Sequence, residues 1–172
     1  MTWLEITQGW DGGAALAAER ARVGLSWQGA DLAVRVEAPD HGDPPPPSPP
    51  GHTPGLWDYE VVELFLCGPG DVYLELELGP AGHHLVLLLH GVRKPRASPR
   101  ELDVVVNRGA GRWTAGTTLP QAWLPPRPWR ANAYAIHGCG PDRRYLACHP
   151  VPGDGPDFHR LQHFKPLALE AP

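Results

Sequence analysis

The stretch from Leu56 to His90, LWDYEVVELFLCGPGDVYLELELGPAGHHLVLLLH, constrains this chain more than any other. Three apolar-rich runs are separated by two Gly/Pro turns, which predicts short antiparallel strands rather than helices. Glu75 and Glu77 alternate with Leu74, Leu76 and Leu78. Strand side chains point alternately to opposite faces, so the leucines share one face while Tyr73, Glu75 and Glu77 share the other. Glu63 is set in a run that is otherwise largely apolar. One side of the predicted sheet is built to pack, and the other to meet something polar.

The same reading extends along the chain. Its 172 residues suit a single domain, and 22 prolines with 20 glycines favour many short strands. Period-two alternation predicts strands over residues 2–8, 21–27 and 31–37, with hairpins over 102–118 and 129–149 and a last strand within 164–169. Residues 14–19 and 121–124 read as short helical turns. Ten or eleven short strands predict an all-β, antiparallel sandwich of jelly-roll type. Residues 39–55, PDHGDPPPPSPPGHTPG, cannot join a sheet, because proline fixes φ and removes amide donors. They form either a stiff polyproline II loop ending at the rim of the sheet or a ligand for a proline-recognising protein partner.

Composition excludes several function classes. A net charge of −4, with arginines scattered among acids, leaves no basic stripe for nucleic acid. The longest apolar run, Leu85 to Leu89, is too short to span a membrane, and the first residues carry no secretory pattern. Cys67, Cys139 and Cys148 are odd in number and lack metal-ligand spacing, so they read as free thiols of a cytoplasmic protein. No dinucleotide, Walker-type or nucleophile-elbow motif is present, which predicts no cofactor.

Site candidates follow from the same parity. A strand starting at Tyr59 aligns Trp57, Tyr59, Val61, Glu63 and Phe65 on one face. An aromatic plane beside a carboxylate suits a polyol: the ring covers apolar C–H faces and the carboxylate accepts hydroxyl hydrogen bonds. Trp57 is either such a contact or a core anchor for the preceding loop. Glu63 either meets a ligand or is tied to an arginine or backbone amides, since an unpaired buried carboxylate costs several kcal/mol. Glu75 and Glu77 are the solvated side of an amphipathic strand, or further contacts, or one half of a glycoside-hydrolysing pair with Glu63. His83 and His84 are consecutive and point to opposite faces, so they do not chelate together. The segment PDFHRLQHF carries Asp157 and His159, which leaves a structural calcium or other ion open.

Taken together, these segments resemble family 9 carbohydrate-binding modules and their DOMON-like relatives. Leu56 to Leu66 matches a W-x-x-x-V-V-E-x-F-L signature, and Tyr73 to Gly82 a Y-x-E-x-E-x-x-P-x-G stretch. Trp129-Arg130-Ala131-Asn132-Ala133-Tyr134 and Asp157-Phe158-His159 with Phe164 resemble two further landmarks of the group. The likeness is greatest to an uncharacterised stand-alone subgroup. It implies a β-sandwich that grips the end of a sugar chain between two tryptophans, with Trp57 as the first and Glu63 as the hydroxyl-binding carboxylate. The group's second tryptophan commonly lies in a W-x-P step, which here reads Cys148-His149-Pro150, and the arginine that commonly follows N-x-Y is Ala135. The expected protein is thus a non-catalytic module for a small polar ligand, carbohydrate foremost. Trp57, Glu63, Glu75, Glu77 and His149 are its candidate contacts, and Asp157 and His159 shape the closing loop. A glycoside-processing enzyme and a protein-interaction domain acting through the proline-rich loop are the alternatives.

Overall fold

A computed structural model describes residues 1–170. Fourteen strands carry the fold: β1 (Thr2–Ile6), β2 (Gln8–Gly9), β3 (Ala21–Gln28), β4 (Asp31–Pro39), β5 (Gly51–His52), β6 (Val61–Cys67), β7 (Val72–Leu78), β8 (His83–His90), β9 (Pro95–Ala97), β10 (Val105–Gly109), β11 (Arg112–Leu119), β12 (Arg130–His137), β13 (Arg144–Ala147) and β14 (Lys165–Pro166). Between them lie short 3-10 turns, and no α-helix occurs among the described residues. One sheet has the order β1-β3-β4-β11-β10; the other runs β2-β13-β12-β6-β7-β8-β5, with β14 beside β12 and β9 beside β8. Every strand pairing is antiparallel except the two-residue contact of β5 with β8.

The two sheets close face to face as a β-sandwich. Leu74, Leu76 and Leu78 of β7 join Val62, Leu64 and Leu66 of β6 and Ala131, Ala133 and Ala135 of β12 in the core between the layers. Facing them from the smaller sheet are Val23, Leu25, Val34, Val36 and Trp113. The alternation of leucine and glutamate thus places the leucines in the sandwich core, as the pattern predicts.

The opposite face of the larger sheet is also covered. Phe65, Tyr73, Tyr134 and Ile136 form a second apolar cluster with Val151, Phe158, Leu161 and Phe164, from the chain that follows β13. The Asn-x-Tyr pair of β12 holds that covering chain in place. Asn132 is fully buried; its side chain donates to the His149 carbonyl at 2.8 Å and accepts from the His149 amide at 2.9 Å. The Tyr134 ring stacks on Phe158 with centroids 3.8 Å apart, and its hydroxyl donates to the Phe158 carbonyl. A peptide strung over a sheet face in this way encloses space, and the principal cavity lies beneath it.

Element boundaries differ from the sequence expectation in places. Strand β6 begins at Val61, two residues after Tyr59, because residues 56–58 form a 3-10 turn. The hairpin of β10 and β11 turns at Ala110-Gly111, where both residues have positive φ, rather than at Asn107 to Gly109. A two-residue turn of that hand matches the twist of the flanking strands. The last strand shrinks to β14.

The proline-rich segment is mostly a loop pinned at both ends, but it does join the sheets, against expectation: Pro39 ends β4, and Gly51–His52, where no proline removes a donor, form β5 beside β8. Buried Glu60 accepts the amides of His41 (3.1 Å) and Asp43 (3.2 Å). At the far end His83 bonds the Ser48 carbonyl at 2.9 Å, and the Thr53 amide donates to the His84 carbonyl. His84 bonds the Arg100 carbonyl at 3.2 Å, so the two histidines tie separate loops from opposite faces of β8. Pro46 is buried, whereas Pro44, Pro45, Pro47, Pro49 and Pro50 are exposed.

Candidate functional site

The loop delivers Trp57 to the cavity. Gly55 adopts a left-handed conformation (φ 77°), which turns the chain into the 3-10 turn Leu56–Asp58. Leu56 is fully buried and anchors the turn, leaving Trp57 46% exposed. Arg143 fixes the turn from outside by donating to the Trp57 carbonyl at 2.5 Å and the Asp58 carbonyl at 2.9 Å. Strand parity therefore does not place Trp57: it sits outside the strand that carries Glu63, and the anchored turn brings the two to one cavity.

That cavity has a volume of about 490 Å³. Trp57, Asp58, Tyr145, Phe158, Arg93 and Pro95 are among the residues that line it. Glu63, Phe65 and Glu75 belong to the sheet beneath. Glu63 is 2% exposed and has neither a hydrogen bond nor an ion pair from the protein among the described residues. Of its two sequence readings, internal neutralisation by an arginine or amides is absent, and its side chain lines an open cavity.

Glu75 and Glu77 are not the solvated side of a strand. They are 3% and 0% exposed, because the face that the alternation had left open to water is covered, by the chain after β13 at Glu75 and with Leu56 of the 3-10 turn in the same buried cluster. Glu77 lies directly opposite Glu63 on the adjacent strand, and Glu75 opposite Phe65. No N–H or hydroxyl donor reaches either oxygen of Glu77 or Oε2 of Glu75. Glu75 and Glu77 share one face of β7, where the charge of Glu75 opposes ionisation of Glu77. Glu77 is absent from the cavity wall and acts from behind it.

Burial and mutual repulsion hold protons on this floor. Burial, followed by the charge of Glu75, pushes Glu63 well above the usual carboxylate range, against a smaller opposing pull from Arg143. Burial raises Glu75 to about 7, with Glu77 and Arg93 opposing the rise. Glu77 is raised by burial and then by Glu63 and Glu75.

A second network orients the rim. The Tyr73 hydroxyl accepts the Arg93 amide at 2.9 Å, so its own proton is directed to Nδ1 of His159, 2.7 Å away. A neutral His159 ring then carries its hydrogen on Nε2, which lies 3.7 Å from Oε2 of Glu75. Burial first, and Arg93 next, lower the His159 pKa to about 4, so the ring is neutral near pH 7. Asp157 pairs with Arg93 at 2.9 Å and accepts the His159 amide at 3.1 Å. His159 lines the cavity and Asp157 braces it.

His149 is not brought into this group. Asn132 grips its backbone, and its ring lies beside Cys148, outside the cavity wall. Tyr145 and Phe158 supply further aromatic surface to the cavity wall instead. Tyr145 was legible in principle, since it shares strand parity with Ala147 in the hairpin to β12; Arg93 and Arg143, both in turns, leave no such signal. Among the described residues, no group of three or more His, Cys, Asp or Glu side chains is arranged to hold a metal ion. All three cysteines are unpaired. No helix is long and apolar enough to cross a membrane among the described residues.

This sandwich shares its fold with two solved structures. A candidate carbohydrate-binding protein from Bacteroides uniformis superposes with a TM-score of 0.77 at 14% identity, over 99% of this chain and 87% of that one. A family 9 carbohydrate-binding module from Caldicellulosiruptor kristjanssonii, solved with cellotriose, superposes with a TM-score of 0.56 at 12% identity, over 86% and 72% of the two chains. At these identities the likeness establishes the fold. In sequence, the chain is 42% identical to the zebrafish UPF0462 protein C4orf33 homolog, over 81% of this chain and 76% of the relative. Against the human UPF0462 protein C4orf33 it is 38% identical, over 94% and 85%. The chain belongs to the UPF0462 family. No family model matches it.

Proposed function

We propose that this protein is a non-catalytic binding module for carbohydrate, with the ligand held in the cavity between Trp57 and the Glu63–Glu75 floor. One observation carries the reading: an exposed indole and unpartnered buried carboxylates line the same open cavity. The indole offers a flat apolar face to the C–H side of a sugar ring, while the carboxyls exchange hydrogen bonds with hydroxyls. Tyr145 and Phe158 supply further aromatic surface, in place of the second tryptophan expected from the family 9 resemblance. Arg93 and Arg143 are the arginines of the cavity wall, whereas position 135, where that resemblance expects an arginine, faces the sandwich core. The fold neighbour solved with cellotriose adds independent support.

A glycan panel scored by thermal shift, with and without calcium, tests this proposal. Saturable stabilisation by at least one saccharide is expected, and a flat response across neutral, acidic and amino sugars contradicts it. Buried Glu63 and Glu75, with raised pKa values on neighbouring strands, favour glycoside hydrolysis as a second reading. Turnover of aryl glycosides that disappears in Glu63→Gln would establish it in place of the first.

A further inference from the structure

The groups around the cavity are unequally satisfied. Arg93 is engaged by Asp157, and Arg143 by the carbonyls of Trp57, Asp58 and Gly138. Glu63 and Glu75, by contrast, have no cation of the protein in contact, and Glu77 behind them has none either. The imidazole of His159 faces Glu75 without a charge near pH 7. No lysine lines the cavity. Carboxyls placed under a solvent-open cavity without partners are costly in the free protein, and a ligand that supplies the missing charge recovers that cost.

Aromatic rings surround the same place. Trp57, Tyr145 and Phe158 line the walls and Phe65 the floor. The faces of such rings attract cations, most strongly where water is excluded. A neutral polyol would use the hydrogen-bonding capacity of the carboxyls but bring no charge that favours their ionised form.

We infer that the cavity prefers a sugar bearing an amino group, whose ammonium sits against Glu63 and Glu75 while the ring rests on Trp57. This rests on the carbohydrate reading above and specifies the ligand class for the same site. The ammonium donates to both carboxylates, and the proton that one of them carried in the free protein passes to solvent.

Three trisaccharides with one β-1,4 backbone provide the test: cellotriose, N-acetylated chitotriose and fully deacetylated chitotriose. Titration calorimetry near neutral pH is expected to show deacetylated chitotriose bound about tenfold more tightly than cellotriose, the gain of a charge-assisted over a neutral hydrogen bond. That ratio should collapse towards unity in the Glu63→Gln/Glu75→Gln variant, whose folding is checked by its thermal transition. Cellotriose binding as tightly as the amino sugar overturns the inference and leaves the carbohydrate reading intact. An unchanged ratio in the variant overturns the assignment to these two carboxyls. Failure of all three sugars to bind removes both readings.

Discussion

Glu63 and Glu77 lie directly opposite each other on adjacent strands, both buried, and no cation of the protein forms an ion pair with either among the described residues. Like charges in that register repel, so the floor is stable only while it keeps protons. A carboxyl whose pKa is raised on folding binds more protons in the native than in the unfolded state. Its stabilising contribution is therefore complete at low pH and disappears as pH rises through the folded pKa. For Glu75 that point is about 7. The lowered pKa of His159 acts in the other direction, but only between about 4 and its ordinary 6.5. Thermal unfolding should therefore show Tm falling as pH rises from about 6.5, where His159 stops offsetting Glu75, through about 7, with a loss on the order of 1 kcal/mol from Glu75. A Tm that stays level from about pH 6.5 upward would show that the floor is not protonated.

Replacing Glu77 separates stability from binding. It sits behind the cavity and makes no hydrogen bond from an N–H or hydroxyl donor. Removing a buried, uncompensated carboxyl in favour of a residue of similar volume is often neutral or stabilising. Glu77→Gln should raise Tm above neutral pH and flatten the pH profile. Denaturant unfolding at two pH values measures both effects.

The Tyr73 hydroxyl connects Arg93 to His159. In Tyr73→Phe the Arg93 amide and His159 Nδ1 both lose their partner, at a cost of roughly 1–3 kcal/mol. The His159 ring is then free to reorient, and its NMR signals should show the hydrogen no longer confined to Nε2.

Much of the scaffold was legible in the residues themselves. The leucine/glutamate alternation of β7 fixes which face enters the sandwich core, and period-two patterns locate β3, β4, β11 and β12 to within two residues. The site was legible only in part. Glu63 could be singled out because a carboxylate in an apolar strand needs an explanation, yet parity could not place Trp57, whose position depends on the left-handed Gly55 and on Arg143 from a distant turn. The burial of Glu75 depends on residues 148–164 folding back over the sheet. Asn132 and Tyr134 secure that long-range event, and no local pattern at residue 75 or 77 reports it.

Arg143 holds the turn that carries Trp57 and lowers the cost of charge on Glu63. Arg143→Ala should weaken saccharide binding and raise the Glu63 pKa further, moving the onset of pH-dependent binding to higher pH. Affinity measured across pH for the parent and the variant reads that shift.

The most direct measurement is calorimetric titration of one bound saccharide into the parent protein and into Trp57→Ala. The indole is half-exposed, and Arg143 contacts its residue through backbone carbonyls that the substitution retains. The account predicts single-site binding in the parent, a loss of about tenfold or more in the variant, and Tm values that agree within the small range typical of surface substitutions. Equal affinity in the two proteins, or a variant that loses its fold along with its ligand, would contradict a stacking role for Trp57.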